Sequence, residues 1–136
     1  MKTTNYHNTF IEVAEDCPVN TGEVPPIKGN NQTAANIQYE LISGNPYKHT
    51  SDDVIFHVFA VKQDLSVEAL TSEREKFFSK GQPCLRSSPL AKRYGWGIHS
   101  NVEEKVAIYA LGSDEYGKLA NDNNLKHHNA MRSKRS

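Results

Sequence analysis

Seventeen residues, Asp16 to Gln32, carry three prolines (Pro18, Pro25, Pro26) and two glycines (Gly22, Gly29). Proline fixes φ and removes a backbone donor, so no regular element survives in that span. A connector of this length is unusual inside a compact domain, and such loops are often functional or mobile. The regular elements must lie on either side of it. Before it, Thr9 to Ala14 reads as a strand, with β-branched Thr9, Ile11 and Val13 at alternate positions. After it, Thr33 is placed to cap a helix running to Ser43, with Ala34, Ile37 and Leu41 on one stripe. Gly44 suits a left-handed C-cap, and Asn45-Pro46 enforces the stop.

Val54 to Val61 is apolar at every position but His57, and its β-branched and aromatic content favours a strand covered on both faces over a buried helix. Ser66 can cap a second helix to Lys80, with Val67, Leu70, Arg74, Phe77 and Phe78 inward. Ser88-Pro89 opens a short helix. Tyr94–His99 and Lys105–Leu111 read as a hairpin, and Ser113 caps a last helix to about Asn121. Beyond it the chain is polar and expected to fray. The expected class is α+β: an antiparallel-rich sheet of about four strands with helices packed mainly on one face. Residues 1–124 are expected to form one domain and 125–136 a basic flexible tail.

Composition narrows the class further. The longest apolar run, Val106 to Leu111, is six residues, far short of the ~20 that a membrane span needs. The two cysteines cannot build a disulfide framework, and no apolar stretch follows the N-terminal charge. A reduced, cytoplasmic location is expected, without a membrane partner. Net charge is zero, which argues against a general nucleic-acid binder. Its distribution is uneven: Glu12–Glu23 holds four acids and no base, residues 125–136 hold four bases and no acid, and residues 1–124 therefore carry net −4.

The most informative stretch is Lys80 to His99, twenty residues without an acid. A helix start at Ser88-Pro89 offers backbone N–H groups to an anion, and Arg86 can add bidentate hydrogen bonds. Tyr94 and Trp96 supply flat surfaces for a base or sugar. An anion site built from Arg86, Ser87, Ser88, Lys92 and Arg93 with Tyr94 and Trp96 is the first expectation. Its ligand would be a phosphate-bearing small molecule or nucleic-acid phosphate. The alternative is a solvated loop whose arginines pair with the acidic 12–23 segment. Cys84, near Lys80 and Arg86, is a candidate nucleophile with His99 as partner, although its spacing matches no thiol motif. Cys17 and Cys84 lie far apart and the histidines lack paired spacing, so neither metal nor cofactor is expected. Asp52-Asp53 reads as a turn and cap rather than a catalytic dyad.

Thr9-Phe10-Ile11-Glu12-Val13-Ala14-Glu15-Asp16-Cys17-Pro18 and Asn45-Pro46-Tyr47 are similar to a family of small bacterial and fungal proteins of unknown function. So are Phe77 through Arg86, Ser88-Pro89-Leu90 and Lys92 through His99. The resemblance spans nearly the whole chain and implies a one-domain protein. It carries no catalytic assignment, so no functional residue transfers with it. The hairpin followed by Glu115-Tyr116 and Leu119 also resembles small double-wing and iron-chaperone-like α+β proteins, at the level of fold alone. Three functions follow as expectations: an anion-binding module at 80–99, a thiol enzyme using Cys84 and His99, and an interaction adaptor working through the 16–32 loop.

Overall fold

A computed structural model describes residues 2–133. Four strands form one sheet: β1 (Thr9–Glu12), β2 (Trp96–Ser100), β3 (Val106–Ala110) and β4 (Lys126–Asn129), in the order β3-β2-β1-β4. The β1–β2 and β2–β3 pairs are antiparallel, and β1–β4 is parallel. Among the described residues five α-helices complete an α+β fold: α1 (Ala34–Ser43), α2 (Ser51–Lys62), α3 (Leu70–Phe78), α4 (Pro89–Lys92) and α5 (Asp114–Ala120). Short 3-10 turns at Val67–Ala69 and Leu85–Ser87 lead into α3 and α4.

Alternation along the strands sorts the core. Ile11 and Ile98 face one side, where they pack with Ile42 of α1, Val54 of α2 and Leu90 of α4. Phe10 faces the other, edge-on to Tyr116 of α5 at 5.0 Å between centroids. Tyr116 is fixed there because its hydroxyl accepts the Val13 N–H.

Three helix caps form as expected. Thr33 and Asn36 make a reciprocal capping box on α1, Ser88 caps α4 and Ser113 caps α5. Other expectations are corrected. Val54–Val61 is not a strand but the body of α2, begun by a second capping box between Thr50 and Asp53. The run is apolar nearly all round because neighbours cover it on several sides. Val54 enters the sheet core, and Phe56 and Phe59 meet Phe77 of α3 at 5.8 and 4.7 Å between centroids. Gly44 is right-handed, with φ −80°, and donates its N–H to Glu40 O. Ser66 makes no side-chain cap, and Val67 is 81 % exposed rather than inward.

The stretch after α5 does not simply fray. Lys126–Asn129 adds to β1 as an edge strand, and Ala130 N–H continues the pairing to Glu12 O at 2.8 Å. The fourth strand of the sheet is therefore β4, not the 54–61 segment. Residues 134–136, with the tail bases Lys134 and Arg135, lie outside the described residues. No described helix is long and apolar enough to cross a membrane.

The proline-rich connector has no extended regular element, yet it is tied down. Glu23 N–H donates to Tyr94 O at 2.8 Å, and Trp96 Nε1–H donates to Glu23 O at 2.8 Å. Asn36 Nδ2–H donates to Pro25 O at 2.8 Å. With proline's missing donors barring a regular ladder, the connector's backbone groups are paired instead by side chains and by the chain just before β2.

Candidate functional site

Of the cations in the acid-free 80–99 stretch, Arg86 lines the polar cleft beside β4, and Lys80, Lys92 and Arg93 do not. Ser88 is buried, and its hydroxyl both caps Leu90 N–H and donates to Gln38 Oε1. Pro89 has no N–H to offer, and α4 is only four residues long, so its start is no anion site. Lys92 and Arg93 stand at the end of α4 and do not line the cleft beside Arg86. Trp96 is not an open stacking platform. Its ring lies 5.4 Å from Tyr39 and its N–H clamps the connector. Tyr94 contributes its carbonyl to the same clamp.

Arg86 instead turns toward β4. Its Nε–H donates to Asn129 O at 2.8 Å, while its own carbonyl accepts Met131 N–H at 2.8 Å. Ser87 reaches Met131 Sδ at 3.1 Å. The 3-10 turn that carries Arg86 is thereby laced to the end of the chain. A polar cleft of about 390 Å³ opens beside it, lined by Arg86, Arg132, His127, His128 and Glu15 among others. Neither arginine has a carboxylate within ion-pair distance among the described residues. Glu12 approaches His127 Nδ1 at 3.8 Å, and Asp16 accepts Ser133 N–H at 2.9 Å. The expected pairing of the 80–99 arginines with the acidic segment does not occur there.

Cys84 joins the same region from the other side of Arg86. Its sulfur lies 3.1 Å from the Tyr6 hydroxyl. Burial and the Cys84 contact raise the Tyr6 phenol to about 12, although the Arg86 charge works against this. The Tyr6 ring also meets His128 at 5.6 Å. Tyr6, Cys84, Arg86 and His128 thus converge from three distant stretches of chain. Composition alone exposes the basic, histidine-bearing end that supplies His128 and Arg132. Only the parallel β1–β4 pairing brings it to Arg86.

His99 is not the partner of Cys84. It lies on the Phe10 side of the sheet, with Nδ1 2.7 Å from the Tyr47 hydroxyl, which in turn sits 2.8 Å from the Tyr109 hydroxyl. Cys84 lines a cleft with Gln38 of α1 and Ile55 of α2, on the opposite side. Burial holds the His99 imidazole below its usual value, partly offset by Asp122. The unfolded chain therefore binds more protons than the folded one as pH falls through about 6.5, and stability present above that value is lost. An NMR titration should place the His99 midpoint below 6.5, and His99→Gln should flatten the stability profile between about pH 7 and 5. A midpoint above 6.5 contradicts the assignment.

Among the described residues no group of three or more His, Cys, Asp or Glu side chains is arranged to hold a metal ion. Both cysteines are free. No curated protein and no solved structure matches the chain, so the double-wing likeness has no counterpart among them. A family model does match, over residues 1–136, and its description is a family of unknown function. The match takes in every element that builds the sheet and the Arg86 cleft, and the chain belongs to that family, DUF6157.

Proposed function

We propose that the protein is a binding module for a small phosphate-type anion, held in the cleft between Arg86 and the β4 end. One observation carries the reading: Arg86 is oriented by a neutral carbonyl, Asn129 O, and not by a carboxylate. Its remaining N–H groups stay available to a ligand, with Arg132 and His128 on the same cleft. Of the seven residues expected to bind, Arg86 is retained at the centre, with Ser87 supporting its turn. Ser88 caps α4, Tyr94 and Trp96 clamp the connector, and Lys92 and Arg93 end α4 outside the cleft lining. The net charge of −4 over residues 1–124 favours a small ligand over a nucleic acid. The two free cysteines support a cytoplasmic location.

Calorimetric titration with inorganic phosphate and pyrophosphate at low salt tests the reading. Arg86→Gln should weaken binding by about tenfold or more, because a charge-assisted hydrogen bond is lost. Lys92→Ala and Arg93→Ala should leave it unchanged, and Glu15→Gln should strengthen it by removing the one acid among the described residues of the cleft lining. Absence of heat with the native protein, or equal affinity in Arg86→Gln, overturns the proposal.

A further inference from the structure

A second cavity, of about 410 Å³, lies between α2 and α3 and shares no residue with the Arg86 cleft. Its volume falls in the range of small-molecule sites. Leu41, Phe56, Ala60 and Leu70 give it an apolar lining. Asp53, Arg74, His49 and His57 stand among them. We propose that this cavity binds a small monocarboxylate with an apolar body.

The unspent hydrogen-bonding capacity there leans toward donors: Arg74 keeps N–H groups to give, and each imidazole presents one ring N–H beside one acceptor nitrogen. Asp53 has both oxygens committed: Oδ1 accepts from Arg74 Nη2 at 2.8 Å, and Oδ2 accepts the Thr50 N–H at 3.0 Å. A cation entering the cavity finds the Asp53 charge already balanced by Arg74. Arg74 spends one N–H on Asp53 and has more to give. Neither the His49 nor the His57 ring has a hydrogen-bond partner among the described residues, although both line the cavity. An acceptor-only head group matches this set, whereas a purely apolar ligand leaves the donors unanswered.

Arg74 is also held in place before any ligand arrives. Its guanidinium carbon sits 5.7 Å from the Phe56 ring centroid and 5.6 Å from that of Phe78, so the planar group is steadied on two aromatic rings as well as on Asp53. Because Asp53 already balances that arginine, a single negative charge suits the site better than a multiply charged phosphate. The chain of a fatty or aromatic acid would lie along Phe56, Ala60 and Leu70 with its carboxylate toward Arg74 and the imidazoles.

Titration of the labelled native protein with octanoate, octanol and acetate, followed by amide NMR, tests this. Octanoate should shift the amides of Leu41, Ala60, Leu70 and Thr71. Octanol and acetate should each bind about tenfold more weakly, since one lacks the charge and the other the apolar body. Ala60→Trp fills the cavity and should abolish octanoate binding, and His57→Ala, at an exposed position, should weaken it. Arg86→Gln should leave it intact, which separates this site from the phosphate cleft. Equal binding of octanol or of acetate, shifts outside the lining residues, or undiminished binding in both cavity variants overturns the inference.

Discussion

Gly95→Ala should destabilise the protein by about 3 kcal/mol and release the connector from the hairpin. Gly95 has φ +79°, a left-handed conformation that strains any residue with a Cβ. The added methyl would also meet backbone rather than a yielding side chain. It would run into the Thr21 carbonyl, whose carbon lies 2.8 Å away, and would stand 3.0 Å from Val19 Cγ2. Thr21 cannot retreat without disturbing Glu23, which is bonded to both Tyr94 O and Trp96 Nε1. Strain and overpacking therefore add at one position. Urea unfolding measures the loss, and hydrogen exchange at Glu23 reports the release. Gly117→Ala is the control: it lies in α5 with open space around a Cβ, so it should stabilise by about 0.5–1 kcal/mol. A Gly95→Ala protein as stable as the native one would show that the connector is not pinned as described.

Asp52→Ala should cost about 3 kcal/mol by a different route, through hydrogen bonds left unmade. Asp52 is only 1 % exposed. Its carboxylate accepts the Thr4 N–H, the Thr4 hydroxyl and the Thr3 hydroxyl, each at 2.7 Å. Its own N–H donates to Asn5 Oδ1 at 2.9 Å. The carboxylate also sits in the first turn of α2, where the helix dipole favours negative charge. Truncation strands the buried Thr4 N–H without a partner and leaves the Thr4 hydroxyl only Ser51 Oγ, 2.8 Å away. Asp52→Asn should be destabilised less, because its amide oxygen keeps one acceptor while its NH₂ faces donors. Chemical denaturation ranks the three proteins. The segment being anchored leads directly to Tyr6, so loss of Asp52 should also loosen the Tyr6–Cys84 contact, readable as faster alkylation of Cys84. An Asp52→Ala protein within about 0.5 kcal/mol of native refutes the anchoring role.

Both effects bear on the candidate cleft. Thr3–Asn5 fixes Tyr6 on one side of Arg86, and β4 fixes Asn129 and His128 on the other. The cleft depends on two chain ends that sequence patterning treats as peripheral, which is why it is invisible in the 80–99 stretch alone.

Local chemistry made much of the chain legible. Thr33, Ser88 and Ser113 cap helices because hydroxyl side chains satisfy N–H groups that the helix leaves open, an interaction that spans only two or three residues. The 96–110 hairpin, the strand at Thr9–Glu12 and the irregular connector likewise follow from residue alternation and from proline's missing donor. The α+β class was within that reach. Two features were not. Lys126–Asn129 has no apolar alternation, and it is a strand only because β1 presents a free edge to pair with. Val54–Val61 is apolar on nearly every side, so its periodicity does not distinguish helix from strand. The Thr50–Asp53 box and the packing of α1 and α3 around it decided for helix. Local rules settle what a segment can do by itself; pairing with a distant edge or enclosure by distant helices is a property of the assembled fold, and here that assembly also brought Arg86 to its histidine.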